Sequence, residues 1–406
     1  MSELPLSGVR ITDFSWLGAG SYTTKIFADL GADVIKLESA TRLDALRMTA
    51  PYKDGVPGVN RSGYFADRNT SKRSLAIDLK KPQASGIVKA LIQKSDIVAN
   101  NFTPGVMEKF GFGYEAVKAI KPDIIYLAMS MMGRDGPERN YLGYGSSIVA
   151  LTGLQHLTGI AGREPAGTGT NYPDHIPNPC HAAFAVLAAL RHRRRTGIGE
   201  LIDLAQLEPT LSLLGPVFLD LTVNGRDSQA TANQHAWAAP HGVYPCRGED
   251  RWIAIAVTTD EQWTALVSAL GSPGWTRHPD FITLPRRRRS LERLDELVGG
   301  ETRKHDAWSL MAILQEAGVP AGVVQTPADV VDRDPQLKHR NHWISLEHEE
   351  MGPTLYNGHP FSFSHLDSQP RTAAPLLGEH TREVLGELLE LGEAEIDGLI
   401  ADGVLK

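Results

Sequence analysis

The sequence predicts an α/β protein: a mainly parallel sheet with helices on its faces, joined to a smaller α+β domain. Three observations predict it. A strand, a turn, a helix and a second strand follow one another within about 30 residues at the N-terminus, the length of one βαβ unit. Strand-like and helix-like segments then keep alternating to residue 129, the pattern of a parallel sheet. Near residue 240 the chain changes character, and two alternating, aromatic-rich runs flank a tight turn.

Taken in order, residues 9–14 read as a strand and Gly18-Ala-Gly20 as a tight turn. Residues 21–30 read as a helix stopped by Gly31, and residues 32–37 as the next strand. The Gly-, Pro- and polar-rich stretch 39–60 reads as an exposed loop. Strands at 74–78, 96–99 and 123–129 alternate with helices at 83–94 and 114–120, which makes the first domain Rossmann-like. Helices dominate from 146 to 223. The expected organisation is a large domain over 1–223, a linker at 224–239 and a small α+β domain at 240–325. The segment 326–406 is expected to return to the large domain. The small domain should hold a hairpin over 241–257 and helices at 260–270, 291–297 and 307–317. A last helix is expected at 381–391.

Composition sets bounds on function. The chain has 406 residues, 42% of them hydrophobic and 22% charged, which is enough apolar material for ordinary globular cores. A formal net charge of −7 argues against a nucleic-acid partner, though local Lys and Arg can still hold a small anion. Cys180 and Cys246 stand far apart, so neither a disulfide framework nor a Cys-based zinc site is expected, and a reducing cytoplasm fits. The N-terminus lacks the basic and apolar regions of a signal peptide. Apolar runs such as 182–190 are too short for a membrane span, so no membrane partner is expected. The histidines form no helix pair of the HExxH kind, and no metal is expected.

Several stretches carry candidate chemistry. Gly18-x-Gly20, with Glu38 at the end of the next strand, admits a dinucleotide reading, although Thr23 stands at the third glycine position. Arg68, Lys72, Arg73 and Lys80 form either a phosphate clamp or a solvated basic loop. The run Asn100-Asn-Phe-Thr-Pro-Gly105 sits where a parallel strand ends, which is both a ligand-binding edge and a plain turn. Asp174 lies between Pro173 and Pro177, after Gly167 and Gly169 and ahead of an apolar helix. It reads as a helix cap, as a general base partnered by His175 or His181, or as a nucleophile on a constrained loop. The cluster 191–195 lies roughly 25–30 Å further along that helix, too far to pair with it. It reads as a basic helix end, and the four arginines 286–289 read as a solvated face.

Read together, seven elements in order resemble the class III coenzyme A transferase family, the group of formyl-CoA and carnitine CoA-transferases. They are residues 8–14 with Ala19-Gly20; Phe27-Ala-Asp-Leu-Gly-Ala-Asp-Val-Ile-Lys-Leu-Glu38; and Asn69-Thr-Ser-Lys-Arg-Ser74 through Asp78-Leu-Lys80. Asn101-Phe-Thr-Pro-Gly105, Arg194-Arg-Thr-Gly-Ile-Gly199, Pro240-His-Gly-Val-Tyr-Pro-Cys-Arg247 and Ala374-Pro-Leu-Leu-Gly-Glu-His-Thr381 complete the set. The resemblance implies that Asp174 is a catalytic nucleophile forming aspartyl anhydride and aspartyl-CoA thioester intermediates. It implies coenzyme A along Ile77, Lys80, Asn101, Phe102, Thr103 and Lys109, and substrate beside Gly18, Ala19 and Tyr144. An acyl-CoA and a small carboxylic acid are the implied partners, with CoA as co-substrate and no permanently bound cofactor. Two chains interlocked as a homodimer are implied, a heteromer with a related chain being the variant. Three departures bear on the substrate. Gly18 stands where formyl-CoA transferases place a glutamine, Ser39 replaces an arginine that holds CoA, and the glycine-only loop near 237–242 is absent. An acceptor larger than formate or oxalate is therefore expected: aromatic, branched or a dicarboxylate. The alternatives are a 2-methylacyl-CoA racemase, whose proton-transfer histidine is missing from Gly143-Tyr-Gly145, and a non-catalytic CoA-binding subunit.

Overall fold

A computed structural model describes residues 4–406, so the first three residues of the stretch read for a signal peptide lie outside the described residues. The chain divides into two compact units. One comprises residues up to 155, 167–228 and 336–406; the other comprises 156–166 and 229–335.

The first unit is built on six parallel strands: β1 (Arg10–Asp13), β2 (Asp33–Glu38), β3 (Arg73–Ala76), β4 (Ile97–Asn100), β5 (Ile125–Ala128) and β6 (Leu201–Asp203). Their spatial order is β3-β2-β1-β4-β5-β6. Thr12 of β1 faces Ile35 on one side and Val98 on the other. Both sheet faces are covered: all four residues of β4 are buried, and β1, β2 and β3 bury polar Thr12, Lys36 and Ser74 beside their apolar residues. Successive side chains still point to opposite faces. Val98 joins a core with Ile35, Leu75, Val88, Leu91 and Tyr126. Ile97 and Ala99 join the opposite core with Phe27, Val34, Leu127, Ala182 and Val186. The C-terminal helices Thr381–Leu389 and Glu393–Ala401 add Val384, Leu385 and Ile396 to the first of these cores. The order of the strands reverses between β1 and β4, and in such a sheet the crevice beyond their C-terminal ends is the natural ligand site.

The second unit pairs His241–Pro245, Trp252–Ala256 and Ala321–Val323 as a three-stranded antiparallel sheet. Helices Asp260–Ala269, Leu291–Thr302 and Ala307–Glu316 close over a core of Tyr244, Ile253, Ile255, Trp263, Phe281, Leu294 and Leu310. No helix among the described residues is long and apolar enough to cross a membrane.

The mixed α/β class read from the sequence holds, and four local readings change. The first helix spans Leu17–Asp29, so Gly18-Ala-Gly20 is its opening turn and not a loop. It has no side-chain cap of its own. Distant groups hold its start: Trp16 N–H donates to Asn101 Oδ1 at 2.9 Å and Leu17 N–H to Asp44 Oδ1 at 3.1 Å. The stretch 39–60 is not simply exposed; it contains short 3-10 turns at Ala45–Met48 and Lys53–Gly55, and Asp44, Leu46 and Arg47 are buried. The arginine run 286–289 is not all solvated. Arg287 is fully buried, donating to the Ala239 and Phe281 carbonyls and to Asp260, with its guanidinium 4.8 Å from the Trp263 ring centre. Finally, β6 supplies a sixth strand within the stretch read as dominated by helices.

Candidate functional site

At the C-terminal ends of the central strands lies a cavity of about 240 Å³. Phe14 and Trp16 follow β1, Leu37 to Ser39 end β2, Ile77 and Lys80 follow β3, and Phe102 and Thr103 follow β4. The walls are largely aromatic and aliphatic. Trp16 and Phe102 meet edge to face at 5.6 Å, and the Arg42 guanidinium lies 5.4 Å from the Trp16 ring centre. Arg42 and Lys80 are exposed. A flat aromatic heterocycle suits the walls, and anionic groups suit the two cations.

Asp174 sits elsewhere on the same unit, but only Leu17 separates Gly18, which packs on it, from the cavity residue Trp16. Pro173 and Pro177 bracket Asp174 and break the chain into a short helix, Tyr172–His175, and a long one, Pro177–Thr196. Neither helix start carries a side-chain cap, which removes the cap reading of Asp174. Its Oδ2 instead accepts from Gly145 N–H at 3.1 Å, at the start of the helix Gly145–Leu151. Its Oδ1 is buried and has no hydrogen-bond partner. Two glycines make this niche possible. A Cβ on Gly18 would stand 3.0 Å from the Asp174 Cβ, and one on Gly145 would stand 3.0 Å from Oδ2.

The electrostatics follow from that burial. Desolvation pushes the Asp174 carboxyl up to about 6, against the Gly145 bond and the Arg68 charge, which both pull it down. It remains mostly ionised at neutral pH. His175 moves the other way, to about 4, through burial and the neighbouring Arg68 charge. The Arg68 guanidinium donates to His175 Nδ1 at 3.1 Å, so the neutral ring carries its proton on Nε2, which faces Tyr64 Oη at 3.4 Å. With both nitrogens turned to Arg68 and Tyr64, His175 is not a base for Asp174. His181 has its Nδ1 on the Pro177 carbonyl of its own helix at 2.8 Å and is exposed, whereas Asp174 is buried and bonded to the Gly145 amide. The result is a charged carboxylate with one oxygen held and one free. Such a group can attack an electrophilic carbonyl, and the amide that holds it can carry negative charge developing on the held oxygen.

The expected ligand residues do not all meet. Ile77, Lys80, Phe102 and Thr103 line the cavity. Asn101 lies behind the wall: besides accepting from Trp16 N–H it donates to Trp16 O at 2.7 Å, so it braces the tryptophan. Lys109 is exposed and not among the cavity residues. Gly18 and Ala19 are buried in the opening turn of the first helix, and Tyr144 is 59% exposed beside Gly145. The basic cluster read as a phosphate clamp disperses. Lys72 is buried against Asp13, Thr24 and Asn69, and burial pulls it down to about 8. Arg73 pairs with Asp33, and Arg68 pairs with Asp67. Glu38 is no ribose ligand. Despite a burial that would raise it, Arg47 and Ser74 bind its two oxygens and hold it below the usual range. Phe14, Trp16, Arg42 and the Gly145 amide were missed; aromatic residues at strand ends are the one local signal that pointed to the first two.

A family model described as CoA-transferase family III matches residues 6–381. The chain is 30% identical over 401 residues to the succinyl-CoA–D-citramalate CoA-transferase of Chloroflexus aurantiacus, covering 99% of this chain and 98% of that protein. It is 32% identical to the probable CoA-transferase Rv1866 of Mycobacterium tuberculosis over 99% of its own length, and it spans half of that longer protein. Among solved structures, a CAIB/BAIF family protein from Brucella suis superposes with a TM-score of 0.87 at 30% identity, covering 95% of this chain and 100% of that one.

Proposed function

The chain belongs to CoA-transferase family III, and from that premise we propose that it moves coenzyme A from an acyl-CoA donor to a free carboxylic acid by covalent catalysis on Asp174. The observation that carries this reading is the unpartnered, buried Oδ1 of a carboxyl group whose other oxygen is fixed by the Gly145 amide. Oδ1 attacks the thioester carbonyl, the CoA thiolate leaves, and a mixed anhydride forms. The thiolate then attacks the aspartyl carbonyl, giving an aspartyl-CoA thioester and releasing the donor acid. The acceptor carboxylate attacks that thioester, which expels the thiolate and forms a second anhydride. Thiolate attack on the acceptor's acyl carbon yields the new acyl-CoA and restores Asp174. Overall, one thioester is traded for another of similar energy, so no nucleotide is consumed. When the aspartyl carbonyl is attacked, Oδ2 becomes the oxyanion and the Gly145 N–H is already aimed at it.

In this reading the adenine of CoA enters the Trp16–Phe102 cavity, and its phosphates meet Lys80 and Arg42. Arg42 supplies the cation that Ser39 does not. The Chloroflexus relative's name supports succinyl-CoA as donor and a branched dicarboxylate as acceptor. A racemase reading lacks its base, since Tyr144 occupies the place of the required histidine. The enzyme acts as a cytoplasmic homodimer; exposed Phe184, Leu187, Phe218, Leu219 and Val223 supply apolar surface for the second chain. The direct test is to supply succinyl-CoA with a panel of free acids and separate the acyl-CoA products. Dicarboxylates are expected to yield new thioesters with release of succinate. Hydrolysis alone, or no product from any acid, would contradict the proposal.

A further inference from the structure

Arg68 is more buried and less satisfied than a basic surface residue should be. It ends the helix Gly63–Arg68, and its side chain is only 13% exposed. Its guanidinium lies 4.6 Å from the Tyr22 ring centre and 5.6 Å from that of Tyr64. Both rings are within cation–π distance of the guanidinium, whose N–H groups remain to make hydrogen bonds. One edge meets Asp67, whose Oδ1 also accepts from Asn357 at 2.8 Å. Another amino group donates to His175 Nδ1, a neutral acceptor. The Nε–H is buried and has no partner. A buried, unmet donor on a cation costs about 1–3 kcal/mol or more, so a site that retains one is shaped for an acceptor that arrives later. Nε and a terminal amino group together form the fork that grips a carboxylate through two parallel bonds.

The position of that fork relates it to Asp174. A Cβ on Gly18 would stand 3.0 Å from the Asp174 Cβ and 3.5 Å from Cε1 of His175, so carboxylate and imidazole flank the same glycine. Arg68 is one hydrogen bond beyond the imidazole. We propose that Arg68 is the specificity-determining residue that grips the distal carboxylate of a dicarboxylic acyl group while Asp174 carries the other end. This rests on Asp174 being the acyl carrier. One arginine serves both donor and acceptor, because each acyl group in turn occupies the anhydride on Asp174. The His175 ring lends an uncharged, displaceable contact that holds the guanidinium in the unliganded enzyme without competing for its charge.

The test compares succinyl-CoA with butyryl-CoA, which has the same carbon chain and no distal carboxylate, against one acceptor. The readout is the ratio of the two kcat/KM values. A site built to bind a polar group discriminates by about 10⁴–10⁵-fold against an analogue that lacks it, and the wild-type ratio should approach that range. Arg68→Gln should lower the ratio by at least about thirtyfold. Arg68→Lys keeps the charge and loses the fork, so it should lower the ratio about tenfold; it decides the matter should the glutamine variant not fold. A wild-type ratio near one, or folded variants that keep the wild-type ratio, would overturn the role of Arg68 while leaving Asp174 chemistry intact. No transfer from either donor by the wild-type enzyme would overturn both.

Discussion

Asp174→Asn is expected to cut CoA transfer by about 10³-fold or more and to raise stability at neutral pH. The loss of activity follows from replacing the nucleophilic carboxylate, whose Oδ1 has no partner, with a non-nucleophilic amide. The gain follows from linkage. The folded carboxyl titrates at about 6, above its ordinary value of 3.8, because burial disfavours the charge. Above pH 6 the folded state therefore holds a charge it would rather shed, at a cost of about 3 kcal/mol for a shift of about two units. Asparagine carries no charge, and its oxygen can still accept from Gly145. Its amide nitrogen would be an unmet buried donor costing about 1–3 kcal/mol, so the net gain is about 0–2 kcal/mol. Denaturant unfolding should show the stability of the asparagine protein relative to wild type falling by about 3 kcal/mol as pH drops from 7.5 to below 4. An equal difference at all pH values would mean that the buried charge is not its source. Transfer by the wild-type enzyme should fall on the same acid limb, below pH 6.

Gly145→Ala should lower kcat by about 10–100-fold and leave KM for the acyl-CoA nearly unchanged. The added methyl would stand 2.7 Å from the Asn171 Cβ and 3.0 Å from Asp174 Oδ2, both inside van der Waals contact. Either Asn171 moves or the carboxylate is pushed from the amide that holds it. Displacements of about 1 Å in a reacting group cost on the order of 10²-fold. The cavity around Trp16 does not include residue 145, so CoA affinity should survive. Steady-state kinetics separates the two parameters. A rise in KM with kcat intact would place the acyl-CoA, and not the carboxylate, against Gly145.

The parallel sheet was legible because short strand-like and helix-like segments alternate along the first 129 residues. The sixth strand was not, since three residues after Gly199 carry no period of their own. The first helix was read four residues late because its start is held by Asp44 and Asn101, which are remote in sequence. Buried cations misled for a related reason. Lys72, Arg47 and Arg287 look like surface charge, and only the fold brings Asp13, Glu38 and Asp260 to them. Within the candidate site, Asp174 drew attention through its two prolines and the flanking motifs. Nothing local announced the Gly145 amide or the spare donor of Arg68. Main-chain donors have no sequence signature, and a guanidinium's partners are a property of the folded site.

The central claim is that Asp174 itself becomes acylated. The enzyme should be incubated with succinyl-CoA and hydroxylamine, digested, and mapped by mass spectrometry. A hydroxamate is predicted on the peptide containing Asp174, dependent on the acyl-CoA and absent from the Asp174→Asn protein. Continued CoA transfer under those conditions with Asp174 unmodified, or with the modification on another residue, would contradict the account.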